Sequence, residues 1–418
     1  MPRLLAAVAA LILASPAIAA DPPEDFFFKK GDRIIYTGDS ITEQYQYSSY
    51  IELYLTTRFP AGNFFFLNAG IGGDTATGGA NRFRNHVLAE KPTAVTTDFG
   101  MNDGGYGGFN PDAAKRYAER TAAMLDMARK AEVRVALISP NAVDKRTKPG
   151  LATYLETQKR FYEPLKALAQ EHGIPFVDQY AVTRAALEKM AADDPDGKKV
   201  NPFPDGVHTS GQGGVLMAHT ILVGLHAPAV VSEVSIDARD GGVNAQKCIV
   251  ENLQATTAGV SFTRTDEALP VPVQKDWLPV LPYVAELKDL NRYGLQVAGL
   301  KDGDYAVEID GTEVGKYTAK QLADGVNLGN LTAGPVWEQA NQVFKAIDAK
   351  NKIVHQRFRG VVMYQIQPAD WLGDLPKQVA ERRAAELTKR MEKIEAAQAE
   401  VYKLAGPRPH KFEVKPAK

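Results

Sequence analysis

The chain has 418 residues, 44% of them hydrophobic and 24% charged, a composition that excludes a disordered or fibrous protein. Its 49 basic residues nearly balance its 50 acidic ones, so no net field draws it onto nucleic acid or anionic lipid, and a small diffusing substrate fits better. A single cysteine, Cys248, excludes an internal disulfide and a thiolate metal site, and its neighbours Ile249 and Val250 predict a buried apolar role.

Residues 1–20 place Arg3 before an apolar run and end in Ala17-Ile18-Ala19, the small-x-small pattern of a cleaved signal peptide. The run is shorter than the roughly 20 residues that span a bilayer, so the expectation is export to the periplasm or medium with no membrane anchor left after cleavage. From Arg33 to about His226, short apolar runs alternate with amphipathic stretches. Strands are predicted over Arg33 to Thr37, Phe64 to Asn68, Ala94 to Phe99, Arg134 to Ser139 and Pro175 to Val177. Helices are predicted over Tyr47 to Phe59, Ala114 to Ala131, Leu151 to His172 and Gly213 to Leu225, with Gly173 as a stop. Such alternation predicts an α/β domain over residues 25–227, a mostly parallel sheet covered on both faces, with its site beyond the carboxyl ends of the strands.

After Pro228 the texture changes. Residues 228–370 read as an accessory β-rich and mixed region, with strands at Gly294 to Leu300 and Tyr305 to Ile309, a turn at Asp310-Gly311, and a helix near Trp337 to Ile353. A long amphipathic helix follows over residues 371–405, carrying Ala380, Ala384, Leu387, Met391, Ile394 and Val401 on one stripe. That stripe allows a homodimer through the helix, with packing onto its own domain the favoured alternative. Residues 406–418 are expected to form a flexible basic tail. No internal repeat is present.

Four loops carry chemistry. Ser40, in Gly38-Asp39-Ser40, directly follows a strand and precedes a helix, which suits a nucleophile; a helix-capping serine is the rival reading. Next comes Gly70-Ile71-Gly72-Gly73-Asp74, whose amides can approach an oxyanion. A dinucleotide turn is disfavoured there because Thr75 stands where a third glycine is needed. Asn102 follows the third strand and offers a neutral side-chain donor. In the last loop Asp205 precedes His208 by one tight turn, which suits a base and the carboxylate that orients it; Asp178 is a fallback for the latter. The other six histidines read as surface, capping or packing residues.

In this order, the four blocks resemble those of the SGNH/GDSL hydrolase superfamily, the GDSL-like lipases and acylhydrolases that act as serine esterases. The resemblance covers about Arg33 to His226. It implies a three-layer α/β/α, flavodoxin-like fold with a C-terminal extension, and ester hydrolysis without metal or organic cofactor. It assigns Ser40, His208 and Asp205 to a catalytic triad, and Ser40, Gly73 and Asn102 to the oxyanion hole, with Gly72 adjoining Gly73. Met101 departs from the small or polar residue frequent at its position. No Gly-x-Ser-x-Gly elbow surrounds Ser40, which disfavours a typical α/β-hydrolase lipase. The expected substrate is a small-molecule or glycan ester, with acetyl preferred, and Tyr106 and Phe109 are candidates to stack on a sugar. Glycan O-acetyl transfer and a catalytically silent glycan-binding module are the alternatives.

Overall fold

The computed structural model describes residues 20–284, 290–364 and 369–417. The segment read as a signal peptide, residues 1–20, lies outside the described residues except at its end. Five strands, β1 (Arg33–Gly38), β2 (Phe65–Asn68), β3 (Ala94–Asp98), β4 (Arg134–Ile138) and β5 (Phe176–Val177), form one parallel sheet in the order β2-β1-β3-β4-β5. Seven helices accompany them: α1 (Ser40–Glu43), α2 (Gln46–Arg58), α3 (Ala76–Arg82), α4 (Pro111–Lys130), α5 (Ala152–His172), α6 (Gln179–Asp193) and α7 (Gly211–Gly224). Helix α2 packs with α7, while α3 packs with α4 and α4 with α5. With right-handed crossovers, the reversal of direction at β1 puts these two groups on opposite faces, giving the three-layer α/β/α fold. The same reversal opens a crevice between the carboxyl ends of β1 and β3. Gly173 stops α5 in the left-handed region at φ 63°.

The second half is a β-sandwich with a helical hairpin inserted in it. Strands β6 (Val230–Asp237), β7 (Val243–Gln246), β10 (Arg292–Ala298) and β13 (Val326–Asn327) make one sheet, ordered β13-β10-β6-β7. Strands β8 (Cys248–Thr256), β9 (Gly259–Asp266), β11 (Asp304–Ile309), β12 (Thr312–Thr318) and β14 (His410–Pro416) make the other, ordered β12-β11-β14-β9-β8. Val234, Ile236, Leu295, Val307, Phe412 and Val414 share the core between the sheets. The rings of Phe262 and Phe412 stack there at 5.3 Å. Arg264 is buried in the same core, bonded to Asp266 at 2.7 Å and to Ser232 at 2.8 Å, so its charge is compensated. A short helix, α8 (Ala319–Asp324), precedes β13, and the hairpin consists of α9 (Pro335–Arg357) and α10 (Leu375–Ala405).

Three expectations are corrected. The closing residues are not a flexible tail: β14 is the central strand of its sheet, because His410, Phe412 and Val414 alternate inward and its backbone pairs with β9 and β11. The accessory region is therefore not continuous over residues 228–370, since the chain leaves the sandwich for the hairpin and returns. Cys248 is only partly buried; its thiol lies 3.5 Å from the Glu233 carbonyl oxygen, and burial pushes it up to about 11.

Helix α2 joins the halves. Its polar Ser49, Glu52 and Arg58 are buried because the second half covers the face that would otherwise meet solvent, whereas Ser48 turns to Asn68 of β2. Glu52 pairs with Lys350 of α9 and accepts from Asn351 at 3.0 Å, while Lys350 also donates to Gln398 of α10 at 3.1 Å. Arg58 donates to the carbonyls of Pro228 at 2.6 Å, Val230 at 3.1 Å and Leu290 at 3.2 Å. Ile394 and Val401 of the long helix are fully buried within the chain. Among the described residues, no helix is long and apolar enough to cross a membrane.

Candidate active site

Strand β1 delivers Ser40 to its carboxyl end as the first residue of α1, and the cap of that helix is Asp39, whose carboxylate accepts from the Ile41 amide at 2.9 Å. The Ser40 hydroxyl is thus free of a capping role and lies 2.8 Å from His208 Nε2. His208 Nδ1 lies 2.7 Å from Asp205 Oδ2. An ionised carboxylate only accepts, so Nδ1 carries the proton and Nε2 presents a lone pair to the serine. Asp205 Oδ1 accepts the amides of Val207 at 3.0 Å and His208 at 2.8 Å, which curls the loop back on itself. Gly206 permits this turn at φ 84°. Partial burial pushes Asp205 up, but the bonds from the His208 ring and the two amides outweigh it and hold the carboxyl below its usual range.

The other side of the serine is built by the loops after β2 and β3. Gly72 donates its amide to Glu43 Oε2 at 2.5 Å, whereas among the described residues nothing accepts from the Gly73 amide. Gly73 sits at φ 74°, with open space where a Cβ would stand. Asn102 Nδ2 donates to the Asp74 carbonyl at 2.9 Å and reaches Asp39 Oδ2 at 3.4 Å, which places its amide beside the Ser40 loop. Tyr106, at a strained φ of 57°, donates its hydroxyl to Asn102 Oδ1 at 2.9 Å and so fixes which end of the amide faces the site. Asp103 caps α3 through the Ala76 amide at 3.1 Å.

Behind the serine stand buried carboxyls. Burial pushes Asp39 up to about 7, against the pull of the Ile41 amide, and Asp103 up to about 6, against that of Ala76. Asp98, at the end of β3, is raised well above the carboxylate range by burial and by Asp39. A protonated neighbour spares the site a second buried negative charge.

All five residues singled out for the triad and oxyanion hole meet in this crevice. Asp178 does not: it caps α6 by accepting from Ala181 at 3.0 Å. Phe109 is covered by the guanidinium of Arg160 at 4.0 Å, and Tyr106 serves Asn102, so neither ring is simply an open platform. Met101 is buried beneath the loop, with its sulfur 3.9 Å from Gln158, which removes it from the loop's outer surface. Three further residues shape the site without a motif to mark them. Gln44 accepts from the Thr209 amide at 3.2 Å and ties the histidine loop to α1. Arg82 pairs with Asp74 at 2.8 Å, and Glu43 anchors Gly72. Glu43 and Gln44 carry a signal of position alone, directly after the serine turn, and Arg82 carries none. His410 also has a carboxylate, Asp310 at 2.6 Å, but both lie in the sandwich. Among the described residues, no group of three or more His, Cys, Asp or Glu is arranged to hold a metal.

This geometry agrees with the sequence family: residues 36–214 match the GDSL-like lipase/acylhydrolase family, a stretch that holds all five residues. The chain carries a GDSL-like lipase/acylhydrolase domain, an ester hydrolase. Among solved structures the fold extends past the GDSL domain. BT4096, a gut microbial diltiazem-metabolizing enzyme, is 23% identical and covers 96% of this chain and 100% of its own, with a TM-score of 0.79. Axe2, an acetylxylan esterase from Geobacillus stearothermophilus, is 20% identical and covers 47% of this chain and 95% of its own, with a TM-score of 0.40. No curated protein matches the chain.

Proposed function

We propose that the GDSL domain cleaves short-chain acyl esters, with acetyl groups on carbohydrates the preferred class, through a covalent acyl-serine. The observation that carries this reading is the continuous hydrogen-bonded path from Ser40 through His208 to Asp205, with steps of 2.8 and 2.7 Å. His208 takes the hydroxyl proton as Ser40 Oγ attacks the carbonyl carbon, and Asp205 stabilises the resulting imidazolium. The amides of Ser40 and Gly73 and the Asn102 side chain stabilise the oxyanion. Collapse expels the alcohol, which takes its proton from His208. Water then attacks the acyl-serine by the same route, releasing the acid and restoring Ser40. The preference for short acyl groups is supported by the sequence, where no long apolar lid lies near the four blocks. Export is supported by the leader at residues 1–20, and a periplasmic or secreted protein starting near residue 20 in its mass spectrum would bear it out.

The test compares wild type with Ser40→Ala on p-nitrophenyl acetate, longer-chain esters and an acetylated polysaccharide. The variant should lose on the order of 10⁴-fold or more in kcat. Equal activity in both proteins refutes the nucleophile. Activity greatest on long chains refutes the acyl preference, and acetyl groups appearing on an added glycan instead of as acetate would establish transfer.

A further inference from the structure

The C-terminal half reaches the rim of the catalytic crevice through one charged side chain. Glu43 closes α1, three residues after Ser40, and its carboxylate is held from two sides: Oε2 accepts the Gly72 amide at 2.5 Å, and Oε1 meets Arg359 Nε at 3.0 Å. The glycine loop lies pressed against this point, since a Cβ on Gly70 would come within 2.4 Å of the Glu43 nitrogen and one on Gly72 within 3.0 Å of Oε2. On its far side, Arg82 holds Asp74 at 2.8 Å and lies close enough to Glu43 and Arg359 to feel both charges. Cations and anions therefore alternate around the loop that presents Gly73. Arg359 is itself anchored. It sits on a π-helical turn, Phe358–Val362, whose Val361 and Val362 carbonyls accept from Arg383 of α10 at 2.8 and 2.7 Å. Two residues earlier, Arg357 pairs with Glu90 at 2.8 Å.

We propose that Arg359 is a positioning residue: through Glu43 it fixes the Gly72 peptide, and with it the direction of the Gly73 amide in the oxyanion hole. The helical hairpin is on this account part of the catalytic apparatus without touching substrate. The inference rests on the esterase reading for its kinetic consequence, but the tether is a property of the fold and can be read without catalysis.

The experiment uses the full chain and the variants Arg359→Ala, Arg359→Gln, Arg359→Lys and Glu43→Gln. Kinetics on p-nitrophenyl acetate should show kcat lowered about tenfold in Arg359→Ala with KM nearly unchanged, because the loss falls on the transition state. Affinity for an arylboronic acid, which forms a tetrahedral adduct on serine, should fall in parallel, and Arg359→Lys should recover part of both. Hydrogen exchange of the peptide spanning residues 69–76 should quicken in Arg359→Ala and in Glu43→Gln. Wild-type kcat, boronate affinity and exchange in Arg359→Ala overturn the proposal. So does a parallel loss of kcat and melting temperature in all variants, lysine included, which marks a purely structural role. If Arg359→Ala fails to fold, Arg359→Gln carries the same readings. If wild type shows no Ser40-dependent hydrolysis, the esterase reading falls; unchanged exchange in the variants then overturns the tether, and quickened exchange upholds it.

Discussion

Two acid–base pairs in this molecule are built from the same kinds of group and serve opposite ends. Asp205 and His208, at the rim of the crevice, have side chains 58% and 37% exposed; Glu52 and Lys350, between α2 and the hairpin, are 1% and 0% exposed. In the proposed mechanism the imidazole gains and loses a proton in each turnover, which needs water or polar groups near it, or its charge becomes too costly to form. The inner pair faces no such demand. Burial pushes Glu52 up and Lys350 down, their mutual contact opposes both shifts, and neither member can be removed without stranding the other. On the proposed mechanism, exposure separates a pair that reacts from a pair that fastens.

Deletion from Pro407 onward tests the fastening half most severely. It removes β14 and leaves β9 and β11 without the strand between them, so the sandwich should lose its cooperative unfolding transition in calorimetry. A truncated protein that melts like the full chain would contradict the central position of β14. Lys350→Met should cost about 3–5 kcal/mol of stability in denaturant unfolding, because it leaves Glu52 buried and unpaired. Adding Glu52→Leu should return most of that loss; a double variant no better than the single one would mean that packing, and not charge, holds the hairpin to α2.

The smallest effect sharpens the comparison from the catalytic side. Asp39 is buried, and its carboxyl is raised from 3.8 to about 7. The folded chain therefore binds this proton more tightly than the unfolded chain does. Its contribution to stability is complete below the unfolded value and is lost as pH rises through the folded one. Asp39→Asn keeps an acceptor for the Ile41 amide but has no proton to lose. The stability of wild type relative to this variant should decline between about pH 4 and pH 7, by a few kcal/mol at most. Parallel pH profiles for the two proteins would show that Asp39 does not titrate in that window.

The parallel sheet and the loops of the candidate site were legible because both are local. Strands β1, β2 and β3 end in Gly38, Asn68 and Asp98, and Ser40, Gly73 and Asn102 lie within a few residues of those ends, while Asp205 and His208 share one turn just before α7. Helix α3 was not legible, since Gly78 and Gly79 argue against a helix. The fold nonetheless needs them, because a Cβ at Gly78 would meet Asp74 Oδ1 at 1.8 Å and one at Gly79 would meet the Phe99 ring at 2.6 Å. The polar residues of α2 carried a signal without its key: Ser49 and Glu52 make sense only with Asn351 and Lys350 beside them, about 300 residues away in sequence. The alternation of His410, Phe412 and Val414 was present in the closing segment, but its basic composition favoured the reading of a tail. Arg359 offered nothing in sequence, since an ion pair that depends on a distant turn leaves no local pattern.

The place of β14 also sets an order of events during synthesis. Strands β9 and β11 leave the ribosome long before the strand that separates them, so each waits with one row of backbone amides and carbonyls unpaired. Such waiting edges attract other chains, and closing a loop that encloses the whole hairpin is slow. The nascent protein has its GDSL domain early and its brace late. Those two edges must be kept from pairing with other chains until residues 410–416 arrive.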